Sequence, residues 1–459
     1  MNGTVRFRLS RSLRLTSFHL GSAMGDILVT SIWNRIMITH FGLPAAPVGL
    51  LIALRYFLAP LSVWAGFRSD SSVLFGTRRT AYIWLGRALM LLSLPLLGWS
   101  LEQFAASVHE LGWALALGAS LLYGVGTLLS GSPFLALVRD AAPLERQGLA
   151  VSMTQTALII FFAVVGILFG LLMESYSVAL FWRLVAITAG VGGTFWFLAI
   201  VGVEGEVYHE AGTSPRTEAA RASAGAGSAE PDVMGALART VREAWRDQRT
   251  RSFFLFLSLA TLGGWMQDAI LEPFGAEVFE LSVGRTTRFN SFWQGATVLT
   301  LVSTSILFRA RRPERQTVPT GVGLAAMAVG LVVLSTSVLA ERAVLIEAGL
   351  VVFGAGFGVY TFGGLSLMAV MVRDRHAGTY LGFWTIAAVV FKGVGTFVGA
   401  ALRDWFLAGL GMGGAAAYAS IFLLEAFVLA VAAALLLRVD VPGFAADVGR
   451  LETAKRGTD

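Results

Sequence analysis

The sequence contains no cysteine, which excludes disulfides, thiolate metal sites and cysteine nucleophiles. Charge is scarce too. Asp, Glu, Lys and Arg make up 14% of the 459 residues, against about 25% in an ordinary soluble domain. Histidine occurs five times, with no pair at metal-binding spacing. There is no Walker loop, and the Ser130 to Ser132 stretch near Asp140 has no histidine nearby to serve a nucleophile. An enzyme is therefore not expected. Extended polar sequence is lacking as well, since only residues 203–251 interrupt the apolar pattern for long.

Apolar sequence fills the rest. Residues are 56% hydrophobic, and mean hydropathy is +0.70. A hydrocarbon core needs about 20 apolar residues per helical crossing. Twelve stretches of that length occur, at roughly 17–39, 44–64, 80–100, 112–135, 148–173, 179–201, 252–273, 289–308, 320–340, 344–370, 379–401 and 416–437. They are continuously apolar rather than alternating, which argues for helices and against a transmembrane barrel. The expected fold class is an all-α membrane protein with twelve transmembrane helices in two six-helix halves, at 17–202 and 252–437. A basic tail (1–16), a linker (203–251) and a C-terminal tail (438–459) flank them.

Most of the 35 Lys and Arg fall in the even-numbered connections and both tails. That is the positive-inside distribution, and it predicts two cytoplasmic termini. The first sixteen residues hold Arg6, Arg8, Arg11 and Arg14 without an apolar core, so no cleavable signal peptide is expected. The net charge of +6 is spread over loop ends and forms no single patch, which speaks against nucleic-acid binding. The linker has two parts. Residues 209–232 are too polar and small to bury surface and order. Over 233–249, Met234, Leu237, Val241 and Trp245 share one helical face, while Arg239, Arg242, Arg246 and Arg249 lie elsewhere. That pattern suits a helix on the inner leaflet or a solvated linker helix.

The halves echo each other. Arg139 and Asp140 follow span four, and Arg373 and Asp374 follow span ten; Gly148 and Gly378 come soon after each. Between spans two and three lie Gly66, Asp70, Arg78 and Arg79, and between spans eight and nine lie Arg309, Arg311 and Arg312. Repeated six-helix blocks with such inner loops suggest the major facilitator architecture. An Asp can accept hydrogen bonds at a helix N-terminus and an Arg can bind the last carbonyls of a preceding helix, so these loops read as inner-side clasps. Gly166 with Gly170, and Gly395 with Gly399, are small-residue pairs for close helix packing.

Ionisable groups inside a span cost about 2.5–3.5 kcal/mol each at its centre, so they are the first site candidates. Span one carries His19, Asp26, Thr30 and Trp33 at helical spacing, with Asn34 bordering that stripe and Arg35 on the other side near the end. Span seven places Trp265, Asp268 and Glu272 on one face beside Gln267, and Pro273 follows at once. Span eleven holds Lys392, and Arg55, Arg87 and Arg183 complete the set. Paired carboxylates can relay protons or shape a pigment or lipid site. They can equally neutralise Arg55, Arg87 or Lys392 and hold helices together. His19, the one histidine well inside a span, is a candidate axial ligand for a magnesium tetrapyrrole, or an ordinary structural histidine.

Around span seven the sequence resembles a particular family. The run from Gln267 through Asp268, Glu272, Pro273, Phe274 and Gly275 to Phe279, then Leu281, Gly284, Thr286 and Thr287, is similar to the signature of the PucC-type bacteriochlorophyll and light-harvesting assembly family of phototrophic bacteria. Trp33 to Met37, Gly66 to Asp70, Arg78 to Trp84, Asp140 to Arg146, Tyr360 to Gly363 and Arg403 to Trp405 resemble it elsewhere. The resemblance implies an assembly factor in the bacterial inner membrane that delivers or shields (bacterio)chlorophyll as antennae are built. It implies light-harvesting polypeptides as partners, with carotenoid, a reaction-centre complex and a pigment synthase as further candidates, and membrane lipid as surroundings. Asn34, Arg35, Gln267, Asp268 and Glu272 would then be the working polar positions, followed by Asp26, His19 and Lys392. A proton-coupled transporter of a hydrophobic or organic solute is the rival reading.

Overall fold

The computed structural model describes residues 5–226, 248–308, 313–371 and 377–447, with positions 235, 242, 245 and 246 between them. Among those residues all regular structure is helical, apart from an isolated bridge between Leu74 and Thr77. Ten helices are long and apolar enough to cross a membrane, and a pair bent by 45° supplies an eleventh crossing. The twelfth expected crossing is the first helix. It runs from residue 9 to residue 40, ample for a bilayer, but His19, Asp26, Asn34 and Arg35 dilute its apolarity. The chain is a multi-pass membrane protein.

The described residues fall into two compact units. The first holds the chain up to Leu43, then Leu50–Pro231 and Ser282–Ser291; the second holds Pro44–Gly49, Asp232–Leu281 and the chain from Phe292 onward. The cuts differ from the expected halves at two short segments. In the second unit the Asp404 carboxylate accepts the backbone N–H groups of Ala45 and Ala46 at 2.9 and 2.7 Å, capping the helix that begins there. In the first, Ser291 Oγ donates to the Ala163 carbonyl at 2.7 Å, and Gly170 leaves room for the Gly284 carbonyl, 2.6 Å from where a Cβ would stand.

In the first unit α1 (Leu9–Asp26) passes into π-helical turns at Ile27–Trp33 and Ile36–His40. Next come α2 (Ala45–Phe57), whose first turn belongs to the second unit, α3 (Pro60–Ser71), α4 (Thr80–Ala105), α5 (His109–Asp140), α6 (Gln147–Leu172), α7 (Val178–Ile187) and α8 (Gly193–Leu198). Two shorter helices follow, α9 (Val203–Ala211) and α10 (Pro215–Ala226). The last overturns part of the expectation for 209–232. Alanine-rich sequence forms helix readily, Ser214 Oγ accepts the Thr217 N–H at 3.2 Å near its start, and Ala219 is buried. Of the expected amphipathic helix at 233–249, most positions lie outside the described residues; Trp245 is 44% exposed, with its ring against Phe254.

The second unit contains α11 (Gln248–Trp265), α12 (Leu271–Phe279), α14 (Phe289–Phe308), α15 (Thr317–Leu339), α16 (Val344–Val370), α17 (Ala377–Asp404), α18 (Gly414–Arg438) and α19 (Val441–Asp447). The short α13 (Val283–Thr287) and the first turn of α14 belong to the first unit. Arg309, Arg311, Arg312, Arg373 and Asp374, half of the expected inner-loop repeat, lie outside the described residues.

Candidate functional site

The seventh crossing is broken, and the break places most of the span-seven candidates. Gly263 and Gly264, poor helix formers, weaken the end of α11. Met266–Ala269 then tightens into a 3-10 turn before α12 starts at Leu271. The Gln267 amide folds back and donates to the Gly264 carbonyl at 3.2 Å, satisfying an acceptor the α-helix no longer uses. Gly399 on α17 lets that helix run directly beneath the break; a Cβ there would collide with the Met266 carbonyl. Pro273 does not terminate the span, as its sequence position suggested. It is the third residue of α12, where a missing N–H costs no helical bond. The expected i, i+4 face shared by Asp268 and Glu272 is also lost, because the backbone between them is not α-helical.

Glu272 is 3% and Gln267 5% exposed; Asp268 is half-buried and accepts from Thr396 Oγ1 at 3.3 Å. Lys392, one helical turn before Thr396, holds its ammonium 3.2 Å from the centre of the Trp265 ring. Trp265 also meets Trp293 and Phe357 edge-on, at 5.9 and 5.7 Å between ring centres. Trp265 and Phe357 border a cavity of about 160 Å³ that is also lined by Thr261 and Tyr360. Sequence reading missed Glu425. It is fully buried midway along α18, beside the Gln267 backbone and the Asp268 carboxylate. The signal was available, as an acid in the middle of a span otherwise free of charge. Also missed was Glu277, which takes Arg403 in a two-pronged ion pair at 2.5 and 2.8 Å, with Tyr418 donating at 2.8 Å.

The first-span candidates behave differently. Asp26 takes Arg55 Nη1 at 2.5 Å and the Tyr123 hydroxyl at 2.7 Å. Arg55 also donates to the Tyr56 oxygen at 2.8 Å. Arg87, 4% exposed, lies with its guanidinium over Phe18 at 4.3 Å and Trp196 at 5.1 Å. His19 meets the stacked pair Phe18 and Phe134 edge-on, and among the described residues neither of its ring nitrogens has a hydrogen-bond partner. His19, Asp26, Arg87 and Tyr123 line a cavity of about 310 Å³ together with leucines including Leu128 and Leu135. Asn34 is fully buried and Arg35 half-buried, neither on that cavity.

The described inner loop forms a clasp, though not by the expected means. Arg79 bridges Asp70 at 2.8 Å and Asp140 at 2.7 Å, and Arg78 stands 3.8 Å from Asp70. Burial disfavours the Arg79 charge, but Asp140 and Asp70 more than offset it and hold the guanidinium above its ordinary pKa. Helix capping falls instead to Glu204, whose carboxylate accepts the N–H groups of Arg78, Arg79 and Thr80 and the Thr80 hydroxyl, at 2.6–3.2 Å. Arg139 is exposed, and Gly66 packs against Ser132.

The architecture is shared with membrane transporters. The chain superimposes on a nucleoside transporter, NupG, with a TM-score of 0.67 at 13% identity, over 94% of this chain and all of that one. It matches a peptide transporter, POT, with a TM-score of 0.68 at 14% identity, over 98% of each. The fold is therefore the major facilitator fold. Sequence narrows this further. Residues 32–444 match the profile of the PUCC protein family. Protein PucC of Rhodovulum sulfidophilum is 29% identical over 86% of this chain and 85% of its own length. Protein PucC of Cereibacter sphaeroides is 28% identical over 91% and 89%. A bacteriochlorophyll synthase 44.5 kDa chain of Rhodobacter capsulatus is 28% identical over 89% and 90%. This chain belongs to the PucC family.

Neither described cavity is large enough to enclose a tetrapyrrole. Pockets for drug-sized ligands span about 300–1,000 Å³. The aromatic cavity falls below that range and the His19 cavity at its floor, whereas a chlorophyll macrocycle is larger than most drug-sized ligands. His19 moreover shares its cavity with a cationic guanidinium. The geometry does not suit His19 as a magnesium ligand.

Proposed function

We propose that this protein is an assembly factor for light-harvesting antenna complexes in a bacterial photosynthetic membrane. It takes antenna polypeptides as transient partners while bacteriochlorophyll is loaded onto them, and it performs no covalent chemistry itself. Both termini lie in the cytoplasm and the membrane is the inner one. The observation that carries this reading is the family match over residues 32–444. The broken seventh crossing, where the family-like signature begins, supports a specialised use of that segment, since helix breaks inside a membrane persist where surrounding protein re-satisfies the backbone. Pigment contact, in this reading, lies outside the two small cavities described above.

A deletion strain of the source bacterium tests the role. Antenna absorbance should fall several-fold relative to the reaction centre, and a tagged copy should restore it and co-purify with antenna subunits. Antennae made in full amount and at the normal rate without the protein would overturn the proposal.

A second reading rests on Glu425. A buried carboxyl beside Asp268, in a fold shared with transporters, suits proton coupling. Proton movement into vesicles driven by an organic solute, and abolished by Asp268→Asn, would favour that reading over the first.

A further inference from the structure

The cavity of about 310 Å³ in the first unit plays no part in the assembly reading. Its lining combines two unusual groups. Arg87 is 4% exposed, and among the described residues no carboxylate stands within ion-pair distance of it. Its recorded hydrogen bonds, both 3.2 Å, go to Ser22 Oγ and to the poor acceptor Met90 Sδ. The nearest acid, Asp26, already holds Arg55 and Tyr123. His19 is 7% exposed and, among the described residues, has no hydrogen bond at either nitrogen. The cluster thus carries one arginine charge more than its acid can match. Arginine cannot shed its proton in a protein, so that surplus is relieved by an anion.

We propose that this cavity binds a carboxylate carried on a compact apolar body. The Arg87 guanidinium takes the carboxylate and the His19 ring N–H donates a second bond, while the body rests against Leu128, Leu135 and Leu158. One negative charge matches the surplus where a phosphate dianion would exceed it. A planar carboxylate also suits the guanidinium fork. The volume suits a small organic acid better than a long chain or a macrocycle. The inference stands independently of the assembly role.

Thermal melting of the full chain in nanodiscs tests it, with benzoate as probe, benzamide as its neutral match and laurate as the long-chain acid. Benzoate should raise the melting temperature in a saturable way and benzamide should not. Arg87→Gln should weaken benzoate binding about 10–100-fold, the loss of one charge-assisted contact. Should that variant fail to fold, Gly131→Leu gives the same answer by another route. Gly131 lines the cavity with nothing within 4 Å of where a Cβ would sit, so leucine fills the space, leaves every charge in place and should abolish protection. Equal protection by benzoate and benzamide, protection by laurate alone, no protection by any probe, or undiminished binding in Gly131→Leu would each overturn the proposal.

Discussion

Beside its cavity the first unit sets Arg55 and Arg87 against one acid, Asp26, whereas around its broken crossing the second sets Asp268, Glu272 and Glu425 against Lys392. The two imbalances are not equivalent. A carboxyl in an apolar layer can neutralise itself by taking a proton, but a guanidinium cannot give one up. Surplus acid is therefore self-correcting, and surplus arginine calls for a partner. The hydrogen bonding follows the same division. Asp26 is held by short bonds from two helices. Asp268 has a long bond from Thr396, and the Glu425 side-chain oxygens have none of good geometry. Aromatic rings take different parts too. In the first unit Phe18 and Trp196 face a guanidinium, while in the second Trp265, Trp293 and Phe357 form a cluster with Lys392 at its edge.

The largest expected effect comes from removing the anchoring acid of the first unit. Asp26→Ala leaves Arg55, whose side chain is only 12% exposed, without its counter-ion, and frees the Tyr123 hydroxyl. Breaking a buried pair from one side costs about 3–5 kcal/mol. The melting temperature in nanodiscs should drop sharply, and Asp26→Ala combined with Arg55→Met should recover most of it. A single variant as stable as the parent would show that this ion pair does not hold the unit together.

A smaller effect is expected at the break in the second unit. Gly399→Val would push a side chain into the Met266 carbonyl and force α17 away from the 3-10 turn. Overpacking of this kind costs about 1–3 kcal/mol. Gly148→Val, on a helix with open space around that position, is the control and should cost only its helix propensity. Tryptophan fluorescence reports the change directly, because Trp265 sits at the mouth of the break. An unchanged spectrum and melting temperature in Gly399→Val would mean that the close approach does not hold the break in place.

How much of this was legible beforehand depended on whether a feature is local. The helices, though not their exact ends, followed from continuous apolar runs, which report only on residues close in sequence. The span-one stripe was readable as a helical face, and the pairing of Asp26 with Arg55 was among the stated alternatives. The break before Pro273 was not foreseen, because proline draws attention to itself while the cause lies in Gly263, Gly264 and a glycine on a distant helix, Gly399. Glu204 was passed over as linker sequence; its role exists only because the chain returns it to the start of α4. Lys392 stood out as a cation within a span, but its ring partner lies more than a hundred residues away and no pattern announces it.

Glu425→Gln should have the smallest effect, and it bears most directly on the contrast between the units. Glutamine has the shape of a protonated glutamate and keeps one carbonyl oxygen toward the Gln267 backbone. No ion pair is lost, since among the described residues none involves Glu425. The stability change should stay within about 1 kcal/mol, the net worth of an ordinary hydrogen bond. Antenna assembly in a complemented deletion strain should be unaffected, whereas solute-driven proton movement, if the protein performed it, should stop. A loss of stability as large as that of Asp26→Ala would mean that Glu425 is ionised and matched by a cation, as Asp26 is by Arg55. Equal stability with lost proton movement would instead turn the surplus acid into the working group of a transporter.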